Sequence, residues 1–141
     1  MDRMAPDLQT MIRTPLHEVH VRAMQRIGEE RDFAPGDMIA VLGEPITTFY
    51  YVLSGEVEAI DSRTGGRYGN GTLGPTQFFG EISFLNGGNA MLGARVVAPS
   101  KLLCVPREDM LRLMSDIPEM SDIIVTVFAA RRRRLLESGD A

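Results

Sequence analysis

Residues 78–85 read Phe-Phe-Gly-Glu-Ile-Ser-Phe-Leu, and this stretch is the most informative part of the sequence. A short apolar strand breaks at Gly80, and a short helix is predicted to begin there. Such a break presents free backbone N–H groups and the positive end of a helix dipole, which together bind an anion such as phosphate. Glu81 directly follows the glycine and would repel a phosphate. We therefore expect Glu81 to accept hydrogen bonds from a sugar hydroxyl.

Composition and charge describe an ordinary single domain. The chain has 141 residues, of which 44% are apolar and 24% charged, and its net charge of −4 argues against a basic nucleic-acid-binding face. No apolar run is long enough for a membrane span, and the N-terminus lacks the apolar core of a signal peptide. The single cysteine, Cys104, excludes an internal disulfide, fits a reducing cytoplasm, and is predicted to be a buried core residue.

The order of predicted elements is helix, strands, helices. Apolar residues from Leu16 to Ile27 recur at helical spacing, and the pattern ends near Gly28. Short strands separated by turns follow, predicted at 38–42, 49–54, 56–61, 69–73, 96–97 and 102–105. Helical patterns return at 108–114 and from Pro118 onward. We predict a mainly β fold, an antiparallel β-roll with an N-terminal helix and two C-terminal helices. Residues 1–14 are predicted to be a lead-in segment and residues 15–141 the domain.

The sequence resembles the cyclic nucleotide-binding domain family over nearly its whole length. The segments at 33–37, 49–57 and 75–81 match, and the run after residue 78 is similar to that family's phosphate-binding cassette, Phe-Gly-Glu-(Ile/Leu)-(Ala/Ser)-Leu-Leu, a loop, then Arg-(Ser/Thr)-Ala. The resemblance implies a regulatory domain without enzymatic activity and without a cofactor. It also implies a ligand pocket framed by residues of the cassette: Phe79, Gly80, Glu81, Ile82, Ser83, Leu92, Gly93 and Ala94.

The second half of the cassette departs from the family pattern. With Ala94 aligned on the alanine of the triplet, Gly93 takes the hydroxyl position and Leu92 the arginine position. Arg95 is near, but side chains alternate along a strand, so we expect it to point away from the pocket. Loss of one partner of a buried charge pair costs about 2–5 kcal/mol, which weakens affinity by about thirty- to several-thousand-fold. The pocket would bind a cyclic nucleotide weakly, bind another small ligand, or bind nothing.

Two further groups of side chains could bind ligands. Arg131 falls in line with the apolar stripe of the last helix and therefore needs a partner; Glu81, Glu137 of a partner subunit and a bound anion are the candidates. His17 and His20 lie one turn apart on the first helix. Because there is no third histidine and no second cysteine, we expect solvated or partly buried residues and no metal site.

A narrower resemblance concerns the partners of the chain. Residues 93–99, 105–108, 118–124 and 128–132 are similar to a subgroup of these domains fused to thioredoxin reductase-like flavoproteins, which also tends to lack the cassette arginine. The alternative function is thus a ligand-free interaction module. Such a module would dimerise, or would dock through its last helix onto a flavoprotein disulfide reductase that it regulates. The expected partners are a cyclic nucleotide or another small anion and a second protein surface, with no nucleic acid and no membrane.

Overall fold

The computed structural model describes residues 16–41, 43–61, 64–80, 90 and 92–139. The predicted order of a first helix, a set of strands and two final helices is confirmed. The predicted lead-in at 1–14 lies outside the described residues, so the domain boundary stays a prediction. The elements are α1 (Glu18–Ile27), β1 (Glu29–Phe33), β2 (Met38–Ala40), β3 (Thr48–Ile60), β4 (Arg67–Leu73), β5 (Phe78–Phe79), β6 (Gly93–Pro106), α2 (Arg107–Asp116) and α3 (Pro118–Gly139).

The described strands form one antiparallel sheet with β3 and β6 at its centre. Its order is β1-β6-β3-β4, while β2 pairs with β6 and β5 pairs with β3. The two central strands pair from Thr48 opposite Pro106 to Ile60 opposite Gly93. Each is longer than predicted, because the separate strands expected on either side of Gly55 are one strand, as are those expected at 96–97 and 102–105. Strand β1 was not predicted.

Gly55 forms an irregularity inside β3 instead of ending the strand. Its φ is +98°, and a Cβ there would lie 2.1 Å from the Ser100 hydroxyl oxygen, so only glycine fits. The register of β3 on β6 shifts between Val52 and Val57. A shift of one residue turns every following side chain to the other face of a strand. Val52 and Val57 are five positions apart and would face opposite sides in a regular strand. Because of the shift between them, both face the same side of the sheet.

Two hydrophobic clusters lie on opposite faces of the sheet. The first, here called the helix-side core, joins the sheet to the helices and contains Leu16, Met24, Phe49, Tyr51, Phe78, Leu103, Val105, Met110, Met114, Met120, Ile124 and Val127. The second, here called the roll interior, lies between strands and contains Ala40, Val52, Val57, Phe79, Ala94, Leu102 and Cys104. Alternation along β3 and β6 supplies both clusters, since Phe49 and Leu103 face the helices while Val52 and Leu102 face inward.

The helices cover one side of the roll. In α3, Met120, Ile124 and Val127 are buried, which confirms these members of the predicted stripe, and Ala130 is buried one turn further on. Two other predicted members, Ile123 and Phe128, are half-buried, and the side chain of Leu135 lies outside the described part. Val19 was placed on the apolar stripe of α1 by its spacing, but its side chain is 62% exposed. Within the described ranges, no helix has the length and apolar character needed to span a membrane.

Candidate ligand-binding site

The strand that leads into the cassette ends at a glycine in a left-handed conformation. Gly80 has a φ of +98°, and a Cβ there would lie 3.1 Å from the carbonyl oxygen of Thr48. The chain therefore turns sharply where the sequence predicted a strand to break. Glu81, Ile82 and Ser83, which were predicted to follow in the anion-binding turn, lie outside the described residues, and their role stays a prediction.

Phe79 and Ala94 come together in the roll interior. Both are buried there, and Phe79 pairs across the sheet with Tyr50, whose ring stacks on it at 4.9 Å with an angle of 15° between the planes. Burial raises the pKa of the Tyr50 hydroxyl, so this group stays neutral. The described side chains of the cluster around Phe79 and Ala94 are apolar, and several are small. This face of the sheet can accommodate an apolar or aromatic part of a ligand.

Leu92 and Gly93 lie at the start of β6. Leu92 is half-buried at the bend before the strand, where the family pattern has an arginine. A Cβ on Gly93 would lie 3.3 Å from Cβ of Ile60 and 3.4 Å from Cε of Met38. A side chain at position 93 would therefore extend toward Ile60 and Met38. This direction was not expected from the alignment, which put Gly93 at the position of a ligand-binding hydroxyl.

Arg95 is bound on the opposite side of β6 from Ala94. Its Nε donates a hydrogen bond to Oε2 of Glu58 at 2.8 Å, and Arg67 Nε donates to Oε1 at 3.0 Å. Glu58 is 8% exposed, and the hydrogen bonds from Arg95 and Arg67 lower its pKa. The predicted direction of Arg95, away from the pocket, is thus confirmed. The partnership with Glu58 was not predicted, although Glu58 lies directly opposite Arg95 in the register.

Arg131 of α3 lies against the strand that enters the cassette. One of its terminal nitrogens, Nη1, donates to the carbonyl oxygen of Phe78 at 2.8 Å, and its guanidinium lies 5.3 Å from the centre of the Phe78 ring. Both contacts hold the positively charged guanidinium at Phe78, which lies two residues before Gly80 in the sequence. The side chain is half-buried, as expected for a residue on the inward stripe. The Phe78 carbonyl was not among the predicted partners, because a backbone acceptor on another element leaves no trace in a sequence pattern.

The surroundings of the remaining candidate residues, the cysteine and the two histidines, favour structural roles over ligand binding. Cys104 is buried in the roll interior as predicted, and burial raises the pKa of its thiol to about 11, so it stays protonated and unreactive. His17 is exposed, but His20 is completely buried, more deeply than predicted. Among the described residues, no cluster of histidine, cysteine and carboxylate side chains could hold a metal ion.

The fold and the cassette strand together define the class of protein. The profile of the cyclic nucleotide-binding domain matches residues 30–116, more than half of the chain, and the chain therefore belongs to this family.

Two relatives are regulators. The chain is 30% identical over 104 residues to the CRP-like cAMP-activated global transcriptional regulator of Mycobacterium tuberculosis, covering 73% of this chain and 46% of the relative. It is 31% identical over 106 residues to the cyclic AMP receptor protein of Thermus thermophilus, covering 74% and 49%. The chain thus spans about half the length of these relatives. Regulators of this type are not enzymes, which agrees with the regulatory role predicted from the sequence.

Solved structures show the same fold. The catabolite activator protein of Thermus thermophilus superposes with a TM-score of 0.68 at 27% identity, covering 92% of this chain and 60% of that chain. A structure described under a cyclic-GMP-dependent signalling pathway that regulates bacterial phytopathogenesis superposes with a TM-score of 0.67 at 24% identity, covering 89% and 96%. The predicted β-roll class is confirmed.

The expectation of no nucleic-acid partner is wrong. It was based on the net charge of −4. The relative from Mycobacterium tuberculosis is a global transcriptional regulator, a class of protein that works on nucleic acid, and this chain covers 46% of it. The net charge of a sensory domain does not report on the partners of the whole protein, because another part of a regulator can carry the basic surface.

Proposed function

We propose that the chain is a regulatory domain that binds a cyclic nucleotide, or another small anion, in the roll interior through an altered phosphate site. The observation that carries the proposal is the arrangement around Gly80. A left-handed glycine ends β5, Phe79 and Ala94 meet in an apolar cluster beside it, and the Arg131 guanidinium is held at the Phe78 carbonyl. These features suit a ligand with an apolar ring and an anionic group.

Weak affinity follows from the arginine position. Leu92 carries no charge, and Arg95 is bound by Glu58 on the opposite side of the strand, so neither supplies the missing guanidinium. Absence of a buried charge pair costs about 2–5 kcal/mol of binding free energy. We therefore expect cyclic AMP to bind this domain far more weakly than it binds family members that retain the arginine.

Arg131 is proposed to replace part of the lost charge. It already lies at the start of the cassette, and charge-assisted hydrogen bonds from a guanidinium to phosphate are among the strongest polar contacts. To contact an anion bound after Gly80, the guanidinium would have to leave the Phe78 ring, which faces the helix-side core. The competing role is a purely structural one, in which the contacts with Phe78 only fasten α3 to β5.

Calorimetric titration with cyclic AMP and cyclic GMP tests the proposal. We expect a dissociation constant weaker than about 1 μM for the unmodified chain, and at least about tenfold tighter binding for Leu92→Arg. Gln25→Arg, which adds the same charge on the exposed face of α1, is the matched control and leaves affinity unchanged. Adding Gly93→Ser to Leu92→Arg is a harder test, because the new side chain meets Ile60 and Met38.

A second variant separates the two roles of Arg131. Arg131→Gln weakens binding of either nucleotide by at least about fivefold if the guanidinium contacts the anion. If Arg131 is purely structural, the variant lowers the free energy of unfolding and leaves the affinity per folded molecule as it was. Micromolar or tighter binding by the unmodified chain contradicts the altered phosphate site.

The alternative function is a ligand-free interaction module that regulates an attached or partner flavoprotein disulfide reductase. One observation favours a protein contact: Val125, on α3, is 45% exposed although it is a large apolar residue. Calorimetry without heat for any nucleotide, together with self-association in light scattering or binding to such a reductase, would support this function. A homodimer through the last helix stays a prediction.

The output of the proposed sensor is inferred from the relatives, and its location from the cysteine content. Since the relative from Mycobacterium tuberculosis is a cAMP-activated transcriptional regulator, we propose that the signal sensed by this domain is passed to transcription in the whole protein. The cytoplasmic location expected from the single cysteine stays a prediction.

A further inference from the structure

His20 is a completely buried histidine far from the cassette in sequence. It lies on α1, and the exposed fraction of its side chain is close to zero. In the part of the chain that the structure describes, neither of its ring nitrogens has a hydrogen-bond partner. Buried polar groups are normally hydrogen-bonded, and an unpaired one costs free energy. A leucine or methionine would fit an apolar position on this helix better, so the imidazole needs an explanation.

The ionisable groups that act on His20 come from two elements. The ring of His17, in the residue just before α1, lies 5.2 Å from the His20 ring at an angle of 60°. Glu119, in the first turn of α3, places Oε1 at 3.9 Å from Nε2 of His20, and its side chain is 84% exposed. The buried face of α2, Met110 and Met114, is uncharged. The segment of β6 near the end of α1 contributes the Val105 side chain and the Cys104 backbone carbonyl, while the Cys104 thiol lies in the roll interior on the other face of the sheet.

These surroundings suit a neutral imidazole and oppose a charged one. A protonated ring has two N–H donors, and at 3.9 Å the Glu119 carboxylate is beyond hydrogen-bond distance. Burial is the main reason that the pKa of His20 is lowered below its ordinary value of 6.5, repulsion by His17 adds to the effect, and attraction by Glu119 works against it. Protonation therefore requires that water reach the ring or that Glu119 move inward.

We propose that His20 is a pH-sensitive latch, which holds α1 on the helix-side core while neutral and releases this helix when protonated. Release does not require breaking the sheet, because α1 precedes all the described strands. Few apolar side chains hold it: Ala23 and Met24 are buried and Val21 packs against the helix-side core, while Val19 is 62% and Ile27 39% exposed. Local opening of such an element requires less free energy than global unfolding. The latch is independent of the proposed ligand site.

The direction of the effect follows from proton linkage. Because the folded pKa is lowered, the released helix binds a proton more readily than the packed helix. The stabilising contribution of neutral His20 is fully present above pH 6.5, and it is lost progressively as the pH falls from 6.5 toward the folded pKa.

Amide hydrogen exchange measured by NMR on the full chain tests the latch. We expect protection factors of α1 amides to fall by up to about tenfold between about pH 7.5 and about pH 5.5, while β3 and β6 amides keep theirs. In His20→Leu this local loss disappears. The matched control is His17→Gln on the exposed neighbour, in which the loss persists but is smaller and is complete at a higher pH, because removal of a repelling charge raises the folded pKa of His20 toward 6.5.

Three outcomes would overturn the latch. One is an unchanged loss of α1 protection in His20→Leu, and another is equal loss in α1 and in the sheet, which indicates global unfolding. The third comes from direct titration of the His20 ring in the unmodified chain, which remains informative if His20→Leu does not fold. A midpoint at or above 6.5 with rising α1 protection would mean that Glu119 pairs with the imidazolium and tightens the helix.

Discussion

The helix-side core and the roll interior are made of different kinds of side chain. The helix-side core contains two phenylalanines, a tyrosine and four methionines, which come from both the sheet and the helices. The fully buried part of the roll interior has one phenylalanine, Phe79, and is otherwise made of alanine, valine, leucine and cysteine. Large side chains that interdigitate leave little free space, whereas small ones on facing strands suit a roll that admits a ligand.

The difference suggests a division of labour between the two faces of the sheet. Stability is expected to depend mainly on the helix-side core, where the rings of Phe49 and Phe78 pack with their centres 5.2 Å apart and an angle of 32° between their planes. Ligand affinity is expected to depend on the roll interior. Substitutions on the two faces of the same strands should therefore have separable effects on unfolding and on binding.

Phe49→Ala should have the largest effect of the changes considered. Phe49 is completely buried in the helix-side core, and loss of a buried phenylalanine ring costs about 3–5 kcal/mol of unfolding free energy. Urea denaturation followed by circular dichroism measures this loss. Val19→Ala, on an exposed position of α1, serves as the control and should change stability by less than about 0.5 kcal/mol. Similar losses from both variants would contradict the importance of this core.

Gly55→Ala should have the next largest effect on stability. Gly55 lies in the register shift of β3, after which each side chain turns to the opposite face of the sheet. The added methyl group would meet Ser100 and Pro99 at 2.1–2.6 Å, and the residue would keep a positive φ. We expect a loss of about 2–4 kcal/mol. Gly66→Ala, where the nearest atom to a new Cβ lies at 3.7 Å, is the control. A stable Gly55→Ala variant with unchanged ligand binding would show that the register shift does not need this glycine.

Ala94→Leu tests whether the roll interior is a binding space. Ala94 lies between Ala40 of β2 and Ala59 of β3 in the strand register. If the interior is closely packed, the larger side chain costs about 1–3 kcal/mol of unfolding free energy. If it is a ligand space, stability changes less and the heat of nucleotide binding is lost. Calorimetry and denaturation on the same preparation distinguish these outcomes, and unchanged binding would place the ligand elsewhere.

Glu58→Gln should have the smallest effect, since it affects the outer face of the sheet. The carboxylate is nearly buried, but Arg95 and Arg67 are 39% and 44% exposed at their side chains, so solvent screening reduces the interaction. We expect a loss of about 1–2 kcal/mol near neutral pH. The pKa of Glu58 is lowered, so its contribution is present above pH 4.5 and lost as the pH falls toward the folded pKa. The variant should lack this part of the acid dependence in denaturation experiments.

The sequence predicted the fold class because its helical and strand patterns are strong where they face a core. It missed β1 because Glu29, Glu30, Arg31 and Asp32 are all exposed, and a strand without a buried face has no alternation to detect. It also read Gly55 as the end of a strand, since glycine marks turns and irregularities alike. In both places the deciding interactions are with β6, and pairing with a distant strand is not visible in a local pattern.

The candidate site was predicted less completely than the fold. Alternation correctly directed Arg95 away from Ala94, and helical spacing placed Arg131 on the inward stripe. The sequence did not reveal what these arginines bind, because Glu58 is a cross-strand neighbour and the Phe78 acceptor is a backbone carbonyl. The complete burial of His20 was also missed, since spacing alone does not show how deeply one face of a helix is packed.

Strand β1 occupies one end of the strand order, so one of its sides has no hydrogen-bonded neighbour within the described sheet. An unprotected strand of this kind can recruit strands from other molecules and seed aggregates. Here four consecutive charged side chains are exposed along it, and Lys101 of β6 lies 4.0 Å from Asp32. A second molecule approaching this side would have to strip water from these charges. The charges that hid β1 from the sequence pattern therefore oppose edge-to-edge pairing with the same strand of another molecule.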